Sequence, residues 1–162
     1  MTEKSKHTEI DLPFDVLADM IRRTLARVED FNMLAYGYSM SPFINPGDRV
    51  TISRLKKRPV FGQVIAVIQP VSEAVLLHRV IAVKKDGCLT QGDNRVGQND
   101  GVIPFENVLG CISKVERRNM KVFFGQGITG IGIAALSQHG LLQKLVRFMY
   151  RMMKLMNQFI NK

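Results

Sequence analysis

Two runs decide the fold class: Gln63-Val-Ile-Ala-Val-Ile-Gln69, broken at Pro70, and Val75-Leu-Leu-His-Arg-Val-Ile-Ala-Val83. Both are short, rich in β-branched residues and bounded by turn formers, the signature of strands. Similar runs occur at Arg49–Leu55, Cys88–Gln91 and Val108–Val115. Between them lie Pro46-Gly47-Asp48, Pro59 with Gly62, Asp86-Gly87, and the Gly-rich stretch from Gly92 to Gly101. Connections this short leave no room for crossover helices. The expected domain is therefore mainly β: a coiled, antiparallel, β-barrel-like sheet over residues 32–124.

Helices are expected on both sides of it. Residues 1–10 are polar and charged and predict a disordered lead. Asp11-Leu-Pro-Phe14 reads as a helix start, with Asp11 as cap and proline in the first turn. Phe14, Leu17, Ile21, Leu25 and Val28 then recur at helical spacing, which predicts an amphipathic helix of about five turns within 11–31. Residues 125–162 form the tail. From Gly140 onward Leu141, Leu145, Phe148, Met152, Leu155 and Phe159 make an apolar stripe, with Lys144, Arg147, Arg151 and Lys154 opposite.

Charge separates the tail from the rest. The chain has 162 residues and a net charge of +9. From Cys111 onward nine basic residues face one acid, Glu116, so almost all of the excess lies there. A cationic amphipathic helix over 141–160 suits an anionic membrane surface, and packing on the domain is the alternative. Nucleic acid is disfavoured, because no interleaved aromatics or recognition motif accompanies the charge. Cys88 and Cys111 match neither a zinc nor a redox spacing and read as small buried residues. No metal-ligand cluster or phosphate-cradling loop is visible, and no cofactor is expected. Phe14–Phe31 carries too many charges to span a bilayer, and the apolar part of Val122–Gln143 is too short.

Three segments hold the chemistry. They are Gly37-Tyr-Ser-Met-Ser-Pro-Phe-Ile-Asn-Pro-Gly-Asp-Arg-Val50, Leu77-His-Arg-Val-Ile-Ala-Val83 and Thr90-Gln-Gly-Asp-Asn-Arg-Val-Gly-Gln-Asn-Asp100. A serine becomes a nucleophile when a base takes its proton, and histidine has a suitable pKa. A carboxylate can fix the imidazole tautomer. Taken singly, each piece has a plain structural reading: a turn serine, a core histidine, and aspartates that make turns.

Together the segments resemble type I signal peptidases. Gly37-x-Ser39-Met40-x-Pro42 with Pro46-Gly47-Asp48-x-Val50 is similar to the nucleophile box, shared in looser form with LexA-type self-cleaving repressors. His78-Arg79-Val80 is similar to the second box. Gly92-Asp93-Asn94 with Asp100 resembles the third, and Gly110–Val115 the closing strand. The resemblance runs from about Leu34 to Val115. Histidine rather than lysine in the second box is similar to the endoplasmic-reticulum and archaeal type.

The resemblance implies a serine endopeptidase with a Ser39–His78 dyad assisted by an aspartate, for which Asp100 matches best by position and Asp93, in the Gly-Asp-Asn turn, is the alternative. Gly37 stands where some relatives carry an oxyanion hydroxyl, so the Ser39 N–H is expected to serve instead. Met40 is expected to line the groove, and Arg79 to support the second box. The implied partner is a peptide or precursor, bound extended and cut after small residues. With no spanning segment or export signal, a cytoplasmic site with peripheral membrane attachment is expected. The alternative is a non-catalytic module on the same fold that binds peptides or partners. A self-cleaving regulator is disfavoured, because Leu34–Gly37 lies too close to Ser39 to be cut.

Overall fold

The computed structural model describes residues 13–138 other than 96, together with 141, 144, 148, 151 and 152. The predicted lead and Asp11 lie outside these residues, as does most of the predicted tail helix.

Helix α1, Phe14–Ala26, comes first. Ala18, Ile21 and Leu25 are its buried face, as the periodicity predicts. It is shorter than the five turns expected. Pro13 stands at the N-cap and contributes no side-chain hydrogen bond. At the other end the Val28 N–H donates to Leu25 O and the Glu29 N–H to Thr24 O. Val28 takes the left-handed conformation (φ 63°) that this helix ending requires. It is therefore exposed rather than part of the apolar face.

Eight strands follow: β1 Phe31–Leu34, β2 Arg49–Ser53, β3 Val64–Ile68, β4 Val75–Val83, β5 Gly87–Gln91, β6 Asn99–Pro104, β7 Val108–Arg117 and β8 Met120–Lys121. All pair antiparallel. The path is β1-β2-β7-β3-β4-β5-β6, with β8 beside β7.

The sheet does not close: β1 and β6 remain edges, which corrects the barrel-like expectation. Short hairpins fix the local pairing but not whether the two ends meet. Register shifts between Thr51 and Ile52, Ala66 and Val67, and Val80 and Ala82 coil the sheet locally.

β3 explains the core. Its first four residues are buried, because both faces of the strand are covered. Val64 and Ala66 join a cluster with Ile21, Leu25, Met40, Ile44, Val50 and Phe124. Ile65 and Val67 join Val80, Cys88 and Ile103 on the other face. α1 and the segment holding Met40 and Ile44 cover the first face. Cys88 and Cys111 are free thiols, and burial pushes Cys88 up to about 11.

Helix α2, Ile128–Gln138, begins before the predicted helical start at Gly140. Its glycines hid it from periodicity, and one of them is needed for packing. A Cβ at Gly130 would come within 2.6 Å of Gly62 O, so helix and turn meet backbone to backbone. Ile133, Ala134 and Ser137 are buried, and Gln138 Nε2 donates to Ile81 O on β4. None of the helices among the described residues is long and apolar enough to cross a membrane.

Candidate active site

The segment between β1 and β2 folds back on itself. The Ala35 N–H donates to Asp48 O, and the Gly47 N–H to Ala35 O. The buried Asp48 accepts from the Asn45 N–H and takes two charge-assisted bonds from Arg117, 2.7 and 2.8 Å. Burial raises the Asp48 carboxyl, but the Arg117 and Asn45 donors outweigh it and hold the pKa below its ordinary range. Gly37 is left-handed (φ 73°) and Met40 is buried. Ser39 is thus presented on a tethered turn.

β4 supplies the facing groups. Successive side chains on a strand point to opposite sides. His78 lies opposite Ile65 in the ladder to β3, and Arg79 opposite Val64. His78 Nε2 is 3.0 Å from Ser39 Oγ, and its Nδ1 is 2.6 Å from Asp100 Oδ2. The His78 side chain is 1% exposed and that of Asp100 4%, so water competes little for these bonds. Thr90 Oγ1 donates to the same Asp100 oxygen at 2.6 Å. With the proton on Nδ1, Nε2 is free to accept from the Ser39 hydroxyl, and the carboxylate fixes that tautomer.

The third segment packs directly on Ser39. The Asn94 N–H donates to Ser39 O at 2.7 Å, and Asn94 Nδ2 donates to Tyr38 O. A Cβ at Gly92 would lie 2.6 Å from Ser39 O and 3.1 Å from His78 Nε2. Only glycine allows that approach.

Asp93 points elsewhere. It receives Arg79 Nε and Nη2 at 2.8 and 2.7 Å, with both side chains fully buried. Arg79 also donates to Gly62 O, Phe124 O and Gly125 O, so all five N–H groups have acceptors. Burial pushes the Asp93 carboxyl up, against the opposing pull of Arg79 and His78. This cluster clamps the segment leading into α2 against the back of β4.

The candidate residues therefore sort into two groups. Ser39, His78 and Asp100 form one hydrogen-bonded line, while Arg79 and Asp93 form a separate buried pair. Asp48 and Asn94 stand in the quoted motifs but were given no role, and Thr90 and Arg117 were not singled out from sequence. Thr90 and Asn94 lie inside the quoted third segment, but only the folded register turns them toward Asp100 and Ser39. Among the described residues no group of His, Cys, Asp or Glu could hold a metal ion.

Ser39 opens onto a groove of about 700 Å³. Gly37, Met40, Ala35 and Ile44 border it near Ser39, and β1, Val75–Leu77 and α1 extend it. No family model matches the chain, and none of the curated proteins does.

Proposed function

We propose that this chain is a serine endopeptidase of the signal-peptidase-like class, cutting a precursor or leader peptide. Ser39 acts as nucleophile, and His78 takes its proton as Oγ attacks the scissile carbonyl. Asp100 orients His78 and stabilises the imidazolium, and Thr90 steadies Asp100. His78 then returns the proton to the leaving amine, and water releases the acyl-enzyme by the same route. The backbone N–H of Ser39 has no acceptor among the described residues, which suits it to the developing oxyanion. The observation that carries this reading is the Ser39–His78–Asp100 line, at 3.0 and 2.6 Å, opening directly onto a groove.

The groove favours an extended peptide. β1 is an edge strand, and β4 pairs with β5 only from Arg79 onward. Two free strand edges thus border the same space, and a substrate strand can add to them. Met40, Ala35 and Ile44 close the space beside Ser39, consistent with small residues just before the cut.

The tail supports work at an anionic membrane surface. Leu141, Phe148 and Met152 are exposed, and Lys144 and Arg151 beside them are exposed too. Exposed apolar and basic side chains together suit a lipid headgroup region. On this basis we propose peripheral attachment to an anionic membrane surface.

The test is cleavage of a peptide library, read by mass spectrometry with and without anionic vesicles. Cuts after small residues that vanish in Ser39→Ala support the proposal. Peptide binding with no cut in either condition favours the non-catalytic module.

A further inference from the structure

The turn that touches Ser39 is held from behind. Gly92–Arg95 closes on itself, the Arg95 N–H donating to Gly92 O at 2.9 Å. Its front presents the Asn94 N–H and Nδ2 to the carbonyls of Ser39 and Tyr38. Two other groups tie it to the back of the sheet. One is Asp93, held by Arg79. The other is Arg95 O, which accepts from Gln91 Nε2 at 2.6 Å.

Gln91 is the last residue of β5 and is 2% exposed. It stands opposite Arg79 in the ladder to β4, so both side chains share the face turned away from His78. Its side-chain amide has two N–H groups. One serves Arg95 O, and the other lies within reach of Ser137 O and Ser137 Oγ, both at 3.3 Å, near the end of α2. Ser137 is itself buried. The next residue, Gln138, donates to Ile81 O, where the β4–β5 register shifts. The end of α2 is thus fixed to the sheet independently of Gln91 and braces it.

A buried amide with acceptors on two sides is held rigidly. The Arg95 carbonyl follows it, and the turn follows the carbonyl. Gln91 does not line the groove, so it reaches the chemistry only through this turn.

We propose that Gln91 is a positioning residue of the active site. Braced by Ser137 of α2, it sets the Gly92–Arg95 turn and, through Asn94, the placement of Ser39. The effect on rate rests on the peptidase reading, whereas the effect on the turn is measurable without it.

The experiment compares the parent with Gln91→Met, which keeps the side chain's length and removes both donors. Hydrogen exchange at the Asn94 and Arg95 amides is expected to quicken about five- to tenfold, as for the loss of one hydrogen bond. Labelling of Ser39 by a fluorophosphonate is followed to saturation. Its limiting rate per folded molecule is expected to fall about 10- to 100-fold, with the half-saturating concentration within about twofold of the parent. Gln91→Lys restores donors toward the same three acceptor atoms and is expected to recover a rate within about threefold of the parent. Val67→Ala, in the second core cluster, lowers the urea midpoint but leaves the limiting rate per folded molecule unchanged.

An unchanged limiting rate and unchanged exchange in Gln91→Met overturn the proposal. A loss that Gln91→Lys does not recover assigns Gln91 to packing alone and also overturns it. Should Gln91→Met not fold, Gln91→Lys against the parent decides by the same criterion. An unlabelled parent counts against the peptidase reading alone, and the exchange rates then decide whether Gln91 holds the turn.

Discussion

His78 and Arg79 stand side by side on β4 and serve opposite faces of it. His78 reaches Ser39 and Asp100, whereas Arg79 ties Asp93 to the carbonyls of Gly62, Phe124 and Gly125. One strand thus carries the proposed catalytic imidazole on one side and a structural clamp on the other. The two aspartates of the third segment divide along the same line.

That division predicts different losses for the two aspartates. Asp100→Asn is expected to cut kcat by about 10²–10⁴-fold while the fold survives, because the imidazole loses its tautomer control. Asp93→Asn leaves Arg79 buried without its counter-charge and is expected to cost about 3–5 kcal/mol in stability. Per folded molecule, Asp100→Asn is the more damaging to turnover. Kinetics and urea unfolding of both variants check this, and the reverse order would exchange the two roles.

Thr90→Val should act through Asp100. It removes the 2.6 Å hydroxyl bond to Oδ2 with little change of shape. A loss of about 1 kcal/mol, or roughly five- to tenfold in kcat/KM, is expected, with the midpoint of unfolding nearly unchanged. Steady-state kinetics beside urea melts separate the two effects.

Gly92→Ala should damage the site without opening the core. The added methyl group meets Ser39 O and the imidazole, so the nucleophile turn or His78 must shift. A displacement of even 1 Å at reacting groups costs on the order of 10²-fold in rate. Labelling of Ser39 is expected to slow by about that factor, while circular dichroism stays near that of the parent.

Acid should loosen the nucleophile turn through Asp48. Its pKa is lowered in the fold from 3.8, so its contribution is present above pH 3.8 and is lost as pH falls through the lower folded value. Arg117→Ala is expected to cost about 1–2 kcal/mol at pH 7, reduced by the partial exposure of the arginine. The gap between parent and variant should close as pH falls below that window. Urea midpoints across pH 2–7 measure it, and a gap that widens in acid would contradict the assignment.

β2, β3, β4, β5, β7 and the first helix were legible in the sequence because their signals are local, whereas β1, β6 and β8 lie outside the expected runs and form by pairing with those strands. Val64–Ile68 and Val75–Val83 follow their β-rich runs almost to the residue. Sheet closure was not legible, since it depends on whether β1 meets β6, and nothing in either segment encodes that. α2 was missed because Gly127, Gly130 and Gly132 resemble a loop until Gly130 is seen against Gly62. The line of Ser39, His78 and Asp100 was assembled from motif resemblance, not periodicity. Thr90 lies ten residues before Asp100 and faces it only through the β5–β6 hairpin. α1 was legible as an amphipathic helix, and its place beside the groove, lined by Phe14 and Leu17, depends on how the sheet folds.

The most direct test of the central claim is covalent labelling of the purified protein by a fluorophosphonate, with the modified residue located by peptide mass spectrometry. A single adduct on Ser39 is expected, lost in Ser39→Ala and reduced by at least about 10³-fold in His78→Ala. An unlabelled parent protein, in solution and with anionic vesicles, or labelling at Ser39 that persists at full rate in His78→Ala, would contradict it.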